Sequence, residues 1–223
     1  MEPSAEKRQS WIRINGVMAM GSPLMKYPDR EIRLGVALCG NAGRYALIAE
    51  NGKTRIACGA RWNKRDKSIR RLDIADATGR LQLTVPINKP EHISGTSVCD
   101  LTVSGHGQWW NMTVTALESA YGRTPYFEFY IDRFLPYLGS AATGMRLTEL
   151  CRKMDEEILD ILGVDSEVTY DVECRETDNL AEPEIVYPQH RERELGFIGA
   201  LSVLDLIFCH GPEAPRYFLK GRK

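Results

Sequence analysis

From Ile32 to Leu38 the chain is dominated by apolar residues, and Cys39-Gly40-Asn41-Ala42-Gly43 follows as a breaker-rich turn. Arg44 to Glu50 reads as a short helix that Asn51-Gly52 ends, and Thr54 to Cys58 is strand-like again. This succession predicts a β-turn-α-β unit. Leu72-Asp73-Ile74 and the alternating Leu81 to Val85 flank the turn Asp76-Ala77-Thr78-Gly79, which predicts a β-hairpin closed by Pro86. Val98 to Val103 predicts a further strand, ended by Ser104-Gly105-His106-Gly107. Over residues 1–30 no period is sustained, apart from a short strand near Trp11-Ile12-Arg13-Ile14.

From Gln108 the period becomes helical. Trp109, Met112, Thr113, Ala116, Leu117 and Ala120 fall on one side of a helix that Gly122 stops. Thr124 as N-cap and Pro125 in the first turn predict a second helix carrying Tyr126, Phe127, Phe129, Tyr130 and Phe134, a stripe that suits core packing or a ligand platform. A third helix is predicted from about Arg146 to Leu162, with Gly163 as its stop. Its apolar face holds Leu147, Leu150, Met154, Ile158, Ile161 and Leu162, and its carboxylates Asp155, Glu156, Glu157 and Asp160 are expected to face solvent. Val168 to Cys174 predicts the last strand, before an acidic loop from Arg175 to Glu184. Ser202-Val203-Leu204-Asp205 has the form of a capping box and opens a helix that Gly211 ends, and Gly211-Pro212-Glu213 opens a final short one.

With 223 residues, 43% of them hydrophobic, the chain can bury a sizeable core. The pattern divides it into an N-terminal extension, residues 1–30, and one α/β domain, residues 31–223. No apolar run approaches the roughly 18 residues of a membrane span, so neither insertion nor secretion is expected. The formal net charge of −1 hides two opposed regions: residues 1–71 carry 15 Lys and Arg against 6 Asp and Glu, and residues 151–185 carry 3 against 12. They can pair, occupy separate solvated faces, or bring the basic part to an anionic ligand. A near-neutral total argues against nucleic-acid binding. Six scattered cysteines without C-x-x-C spacing point away from structural zinc and a disulfide framework, and fit thiols in a reducing cytoplasm.

The Gly40-Asn41-Ala42-Gly43 turn sits between a strand and a helix, where unpaired N–H groups can meet an anion. It lacks both G-x-G-x-x-G and the Lys-Ser/Thr of a phosphate loop. Arg61 to Arg71 holds six basic residues in eleven beside Trp62, which makes it either a charged edge that blocks strand pairing or a phosphate- or carboxylate-binding segment. G-x-S-x-G, H-E-x-x-H and D-x-D-x-D-G are absent. Asp205 is explained by capping or by catalysis. Glu118 and Tyr121, three apart on a helix, share a face and can point into a site or at separate neighbours.

Two segments, Leu117-Glu118-Ser119-Ala120-Tyr121-Gly122-Arg123-Thr124-Pro125-Tyr126-Phe127-Glu128-Phe129-Tyr130 and Gly196-Phe197-Ile198-Gly199-Ala200-Leu201-Ser202-Val203-Leu204-Asp205 with its continuation to Glu213, resemble the WbqC-like family. Asn63-Lys64-Arg65 with Arg70 is similar to that family's polar-Lys-Arg segment, and Leu83-Thr84-Val85-Pro86-Ile87 to its Leu-Thr-(Ile/Val)-Pro-(Ile/Val) strand. Tyr187 and Gln189 fall where the family tends to have a Tyr and a Gln. The resemblance runs from about Leu34 to the C-terminus. It implies a place among bacterial O-antigen and other surface-polysaccharide genes, with transfer of an amino acid such as glycine onto the glycan as the suggested activity. The chain departs from the family at Cys39-Gly40-Asn41, where a Pro-rich turn is usual, and at Gly199-Ala200, where Pro-Asn is frequent. If those positions touch substrate, a changed substrate or a lost activity follows.

Together these readings predict an α/β fold: a mixed sheet of about five to seven strands with an N-terminal β-turn-α-β unit, a β-hairpin and a helix-rich C-terminal half. Ligands of open sheets bind beyond the carboxyl ends of the strands, which puts the site at the Cys39–Gly43 turn. The expected function is cytoplasmic transfer of an acyl or aminoacyl group to an activated sugar. Lys64, Arg65 and Arg70, with Asn63, hold phosphate or carboxylate. Glu118 or Asp205 serves as base, and Tyr121 and Trp109 line the sugar face with Tyr187 and Gln189. The amides around Gly40 meet a developing oxyanion. The alternative is a non-catalytic module that binds a nucleotide-sugar or a partner. The ligand expected is an activated sugar or another anionic small molecule; no metal is expected, and no cofactor or oligomeric state is specified.

Overall fold

A computed structural model describes residues 11–14, 17–20, 24–92 and 95–220. Strands β1 (Trp11–Ile14) and β2 (Val17–Met20) pair antiparallel as a hairpin. The β-turn-α-β unit follows as β3 (Tyr27–Gly35), α1 (Ala42–Glu50) and β4 (Asn51–Ala57). β3 therefore begins within the stretch read as an N-terminal extension. Parallel pairing of β3 with β4 requires a crossover, which α1 supplies. Ile32 and Leu34 alternate into the core from β3, and Thr54 and Ile56 from β4.

β5 (Arg71–Asp76) and β6 (Gly79–Thr84) form the second hairpin in the expected register, Asp76 opposite Gly79. α2 (Trp109–Tyr121), α3 (Phe127–Phe134) and α4 (Leu147–Leu162) come next. β7 (Glu167–Asp171) then pairs parallel with β4, giving the order β3-β4-β7. α5 (Glu192–Leu195), α6 (Val203–His210) and α7 (Pro215–Lys220) complete the helix-rich C-terminal half. The fold is α/β as expected, with its strands divided among a three-stranded parallel sheet and two separate hairpins.

The core lies where α1 and α6, buried on almost every side, meet the sheet and the other helices. Phe208 on α6 collects the rings of Tyr121, Phe127 and Phe134 at 5.0–6.3 Å, so Phe127 and Phe134 of the aromatic stripe are core. Phe129 stands apart and is exposed.

Three local expectations change. Val98 to Val103 is not a strand: residues 98–100 make a 3₁₀ turn, in which Asp100 accepts from the Ser97 amide at 3.2 Å, and Thr102 and Val103 form isolated bridges to Arg146 and Ile87. α3 starts at Phe127 because the Thr124 hydroxyl turns back to donate to the Tyr121 carbonyl at 2.7 Å instead of capping forward. Asp155 does not face solvent. It is buried, and its two carboxylate oxygens accept from the hydroxyls of Tyr45 at 2.5 Å and Tyr170 at 2.7 Å.

Candidate functional site

β3 and β4 end at Gly35 and Ala57, and a cavity of about 720 Å³ opens beyond those ends. Its floor is the 35–41 turn leading into α1. One wall is the basic segment from Arg61 to Ile69, and another is the hairpin through Arg71, Asp73 and Gln82. Thr177 and Glu182 from the acidic loop close over it, and Ala200 and Ser202 complete the far side. The placement is the crevice that open α/β sheets offer to ligands.

The turn is built by contacts that sequence distance conceals. The Ser202 hydroxyl donates to the Cys39 carbonyl at 2.8 Å, the Ser202 amide donates to the Asp73 carbonyl at 2.7 Å, and the Val203 amide donates to the Gly40 carbonyl at 2.8 Å. Cys39 and Ala200 both stand in the left-handed region, with φ of 45° and 52°. That conformation is costly for a residue with a Cβ. Both of these positions line the cavity.

Arg44 is the buried charge of the site. Only 3% exposed, it lines the cavity, donates from Nη2 to the Gly35 carbonyl at 2.6 Å, and leaves Nε without a hydrogen-bond partner. Gly40 makes room for it, since a Cβ there would fall 2.4 Å from Arg44 Cδ. Asn41 caps α1 by accepting the Arg44 amide at 3.1 Å and donates from Nδ2 to Glu182 at 2.6 Å. A buried arginine beside the positive end of a helix favours an anion.

Beside it the basic segment is shaped by side chain-backbone turns: Asn63 accepts the Arg65 amide at 3.0 Å, and Asp66 accepts the Ser68 amide at 2.9 Å. Arg61, Asn63, Arg65, Lys67 and Arg71 line the cavity with the half-buried Trp62. Its carboxylates are Asp66, Asp73 and Glu182. Asp73 Oδ2 accepts from Arg80 at 2.9 Å, and its Oδ1 is buried without a partner.

Of the residues singled out from sequence, Gly40, Asn63 and Arg65 meet at the cavity. Lys64 is exposed outside it. Arg70 turns away, donating to the Val85 carbonyl at 3.0 Å, and burial, then Arg71, pushes its pKa down. Glu118 is exposed on α2, while Trp109 and Tyr121 are buried among the helices. The Tyr121 hydroxyl accepts the Ala75 amide at 3.2 Å. Asp205 is buried in the first turn of α6. Burial raises its pKa, against the pull of Tyr187 and Tyr121, and neither oxygen has a hydrogen bond of full geometry. Gln189 grips Ile198 on both sides, accepting its amide at 2.8 Å and donating to its carbonyl at 2.9 Å. Tyr187 lines a smaller cavity, about 130 Å³, that shares Asn41, Glu182 and Ala200 with the larger one.

Arg44, Asp73, Glu182 and Ser202 escaped sequence reading as site residues. For Arg44 the available signal was a lone cation directly after the Gly-flanked turn, on a helix otherwise free of charge until Glu50. The cysteines are free. Burial pushes the Cys39 thiol up and Cys58 up to about 12, so neither is a ready nucleophile at the cavity they line or adjoin. Among the described residues, no helix is long and apolar enough to cross a membrane, and no cluster of His, Cys, Asp and Glu is placed to hold a metal ion.

The fold and cavity define an α/β protein with a crevice, lined by more basic than acidic residues, at the carboxyl ends of its parallel strands. The model of the WbqC-like protein family matches residues 56–182, more than half of the chain, and the chain belongs to that family. The match takes in the basic segment, the hairpin, α2 to α4, β7 and the acidic loop, and stops short of α1 and α6. Searches of curated proteins and of solved structures return no match.

Proposed function

We propose that this chain binds the phosphate-bearing end of an activated sugar in the cavity beyond β3 and β4, and that it acts in the cytoplasm in surface-polysaccharide assembly. The observation that carries the reading is Arg44, a buried cation with an unpartnered Nε beside the α1 N-terminus and a wall of further cations. Glu182 approaches it only to 3.9 Å, beyond hydrogen-bond distance, so a closer anion can complete it. Free thiols, three of them buried, suit a reducing compartment.

Within that reading the reaction is transfer of an acyl or aminoacyl group, such as glycyl, from a thioester or ester donor to a hydroxyl or amine of the sugar: the new ester or amide bond forms as the donor's bond to the acyl carbon breaks, and its thiol or alcohol leaves with the proton taken from the acceptor. Asp73 lines the cavity, with Oδ2 held by Arg80 and Oδ1 buried without a partner, and takes the proton of the attacking hydroxyl or amine. The first-turn amides of α1 meet the oxyanion that develops on the acyl carbon. Trp62, half-buried in the cavity wall, packs against the sugar.

A binding module without catalysis is favoured by one observation, that Asp73 is tied in an ion pair of the kind structural carboxylates make. Thermal-shift screening of the purified chain against nucleotide-sugars, acyl-CoAs and free nucleotides tests the binding step. A ligand at about 100 times its Kd stabilises by roughly 2.7 kcal/mol. The shift is expected with nucleotide-sugars and is lost in Arg65→Ala; no shift with any of them contradicts the reading. Asp73→Asn then separates the two versions, abolishing turnover with binding retained in an enzyme and changing nothing in a module.

A further inference from the structure

The acidic loop places a carboxylate where an anionic ligand belongs. Glu182 Oε2 accepts from Asn41 Nδ2 at 2.6 Å, and Oε1 lies 3.9 Å from Arg44 Nη1, so its carboxylate bridges the α1 cap and the buried cation. The loop is held there from both sides. Asp178 accepts from the Arg33 amide at 2.8 Å and from its Nε at 3.0 Å, and the Asp178 amide donates back to the Arg33 carbonyl at 2.8 Å. The next residue after Glu182 presses its carbonyl so close to α1 that a Cβ on Gly43 would fall 2.0 Å from it. Glu182 itself is one-third exposed.

We propose that Glu182 is a tethered competitor for the inner anion subsite, and that it makes this subsite selective for phosphoryl over carboxylate ligands. The inference rests on the cavity being an anion site. A short tether presents its group at about millimolar effective concentration. A free carboxylate offers Asn41 and Arg44 only what Glu182 already gives them, so it does not displace it. A phosphoryl group brings up to two charges and three acceptor oxygens. It also reaches Arg65 and Lys67 across the cavity, which Glu182 does not contact.

The test is isothermal titration of the full chain with pyrophosphate and with malonate at fixed ionic strength, in wild type, Glu182→Gln and Glu182→Ala. Gln keeps the shape and can still accept from Asn41; Ala removes the competitor outright. The expected result is pyrophosphate binding to wild type without malonate binding, at least tenfold tighter pyrophosphate binding in Glu182→Ala, and a malonate affinity that appears only in the variants. Equal pyrophosphate affinity in all three proteins, or malonate binding wild type as tightly as pyrophosphate does, overturns the proposal and leaves the anion cavity standing. Binding of neither ligand to any of them overturns the cavity reading, and this inference with it. Adding Arg65→Ala to wild type and to Glu182→Ala weakens pyrophosphate in both; if it does so in neither, the anion sits elsewhere and the proposal fails.

Discussion

Gly40 and Arg44 fit together as a surface and the side chain laid across it. A Cβ on Gly40 would come within 2.4 Å of Arg44 Cδ and within 3.5 Å of its Cβ and Cγ, so the absence of a side chain at one position sets the path of the guanidinium at the other. Gly40 is needed for the space it leaves.

Gly40→Ala is therefore expected to overpack the turn. Arg44 is buried, and the Gly35 carbonyl holds its guanidinium, so the side chain cannot yield cheaply. The expected destabilisation is about 1–3 kcal/mol, read by urea denaturation, with loss of any anion binding. A variant as stable as wild type would show that Arg44 takes another path.

Ser202 joins α6 to the cavity turn. Its hydroxyl donates to the Cys39 carbonyl at 2.8 Å and accepts the Leu204 amide at 3.4 Å. Ser202→Ala removes a buried hydrogen bond and a helix cap together. It is expected to lower stability by about 1–2 kcal/mol, or a few degrees in Tm for a chain of this length, at about 2–4 °C per kcal/mol. Unchanged Tm would contradict the account of the turn.

The pH dependence follows from Asp155. Burial, its largest influence, raises its pKa above the usual carboxylate value of 3.8, against the opposing pull of Arg44 and the hydroxyls of Tyr45 and Tyr170. The folded state keeps this proton to a higher pH than the unfolded state, so its ionisation removes stability as pH rises from about 4 toward the raised value. Asn cannot ionise. Asp155→Asn should thus compare least favourably with wild type in acid and gain on it as the pH rises, measured by urea denaturation at a series of pH values. A gap that does not vary with pH would sink the assignment.

Thiol reactivity is ordered by burial. Cys39, Cys58 and Cys151 are buried, and burial raises the pKa of each. Cys209 is likewise pushed up to about 12. Cys99 and Cys174, both half-buried, are expected to react with a thiol reagent at neutral pH before the three buried thiols, which react only after denaturation. Mass spectrometry after brief alkylation reads the order directly; early labelling of Cys39 would show that the turn opens.

The elements that sequence reading placed well are those whose signals are local. The β5–β6 hairpin declared itself through alternation around Asp76 and Gly79, and α4 ended at Gly163, whose φ of 60° is a left-handed stop. The failures involve partners far along the chain. Val98 to Val103 looks like a strand but makes a 3₁₀ turn followed by bridges from Thr102 to Arg146 and from Val103 to Ile87, and Asp155 looks solvent-facing until Tyr45, 110 residues away, reaches it. At the site, the Cys39–Gly43 turn and the basic segment were legible, because a strand-turn-helix step and a run of Arg and Lys are local features. Arg44 was not, since whether a helical arginine points outward or lies buried across a glycine depends on packing. Glu118 and Asp205 were chosen by residue type and spacing, and neither spacing nor type reports that a side chain lies outside the cavity.

The most direct test of the central claim is a crystal structure of the full chain grown with pyrophosphate. The account predicts phosphoryl density at Asn41 Nδ2 and the Arg44 guanidinium, with Arg65 or Lys67 on its outer side and Glu182 swung out of the subsite. An otherwise ordered cavity with Glu182 still on Asn41, and no phosphoryl density beside Arg44, would contradict it.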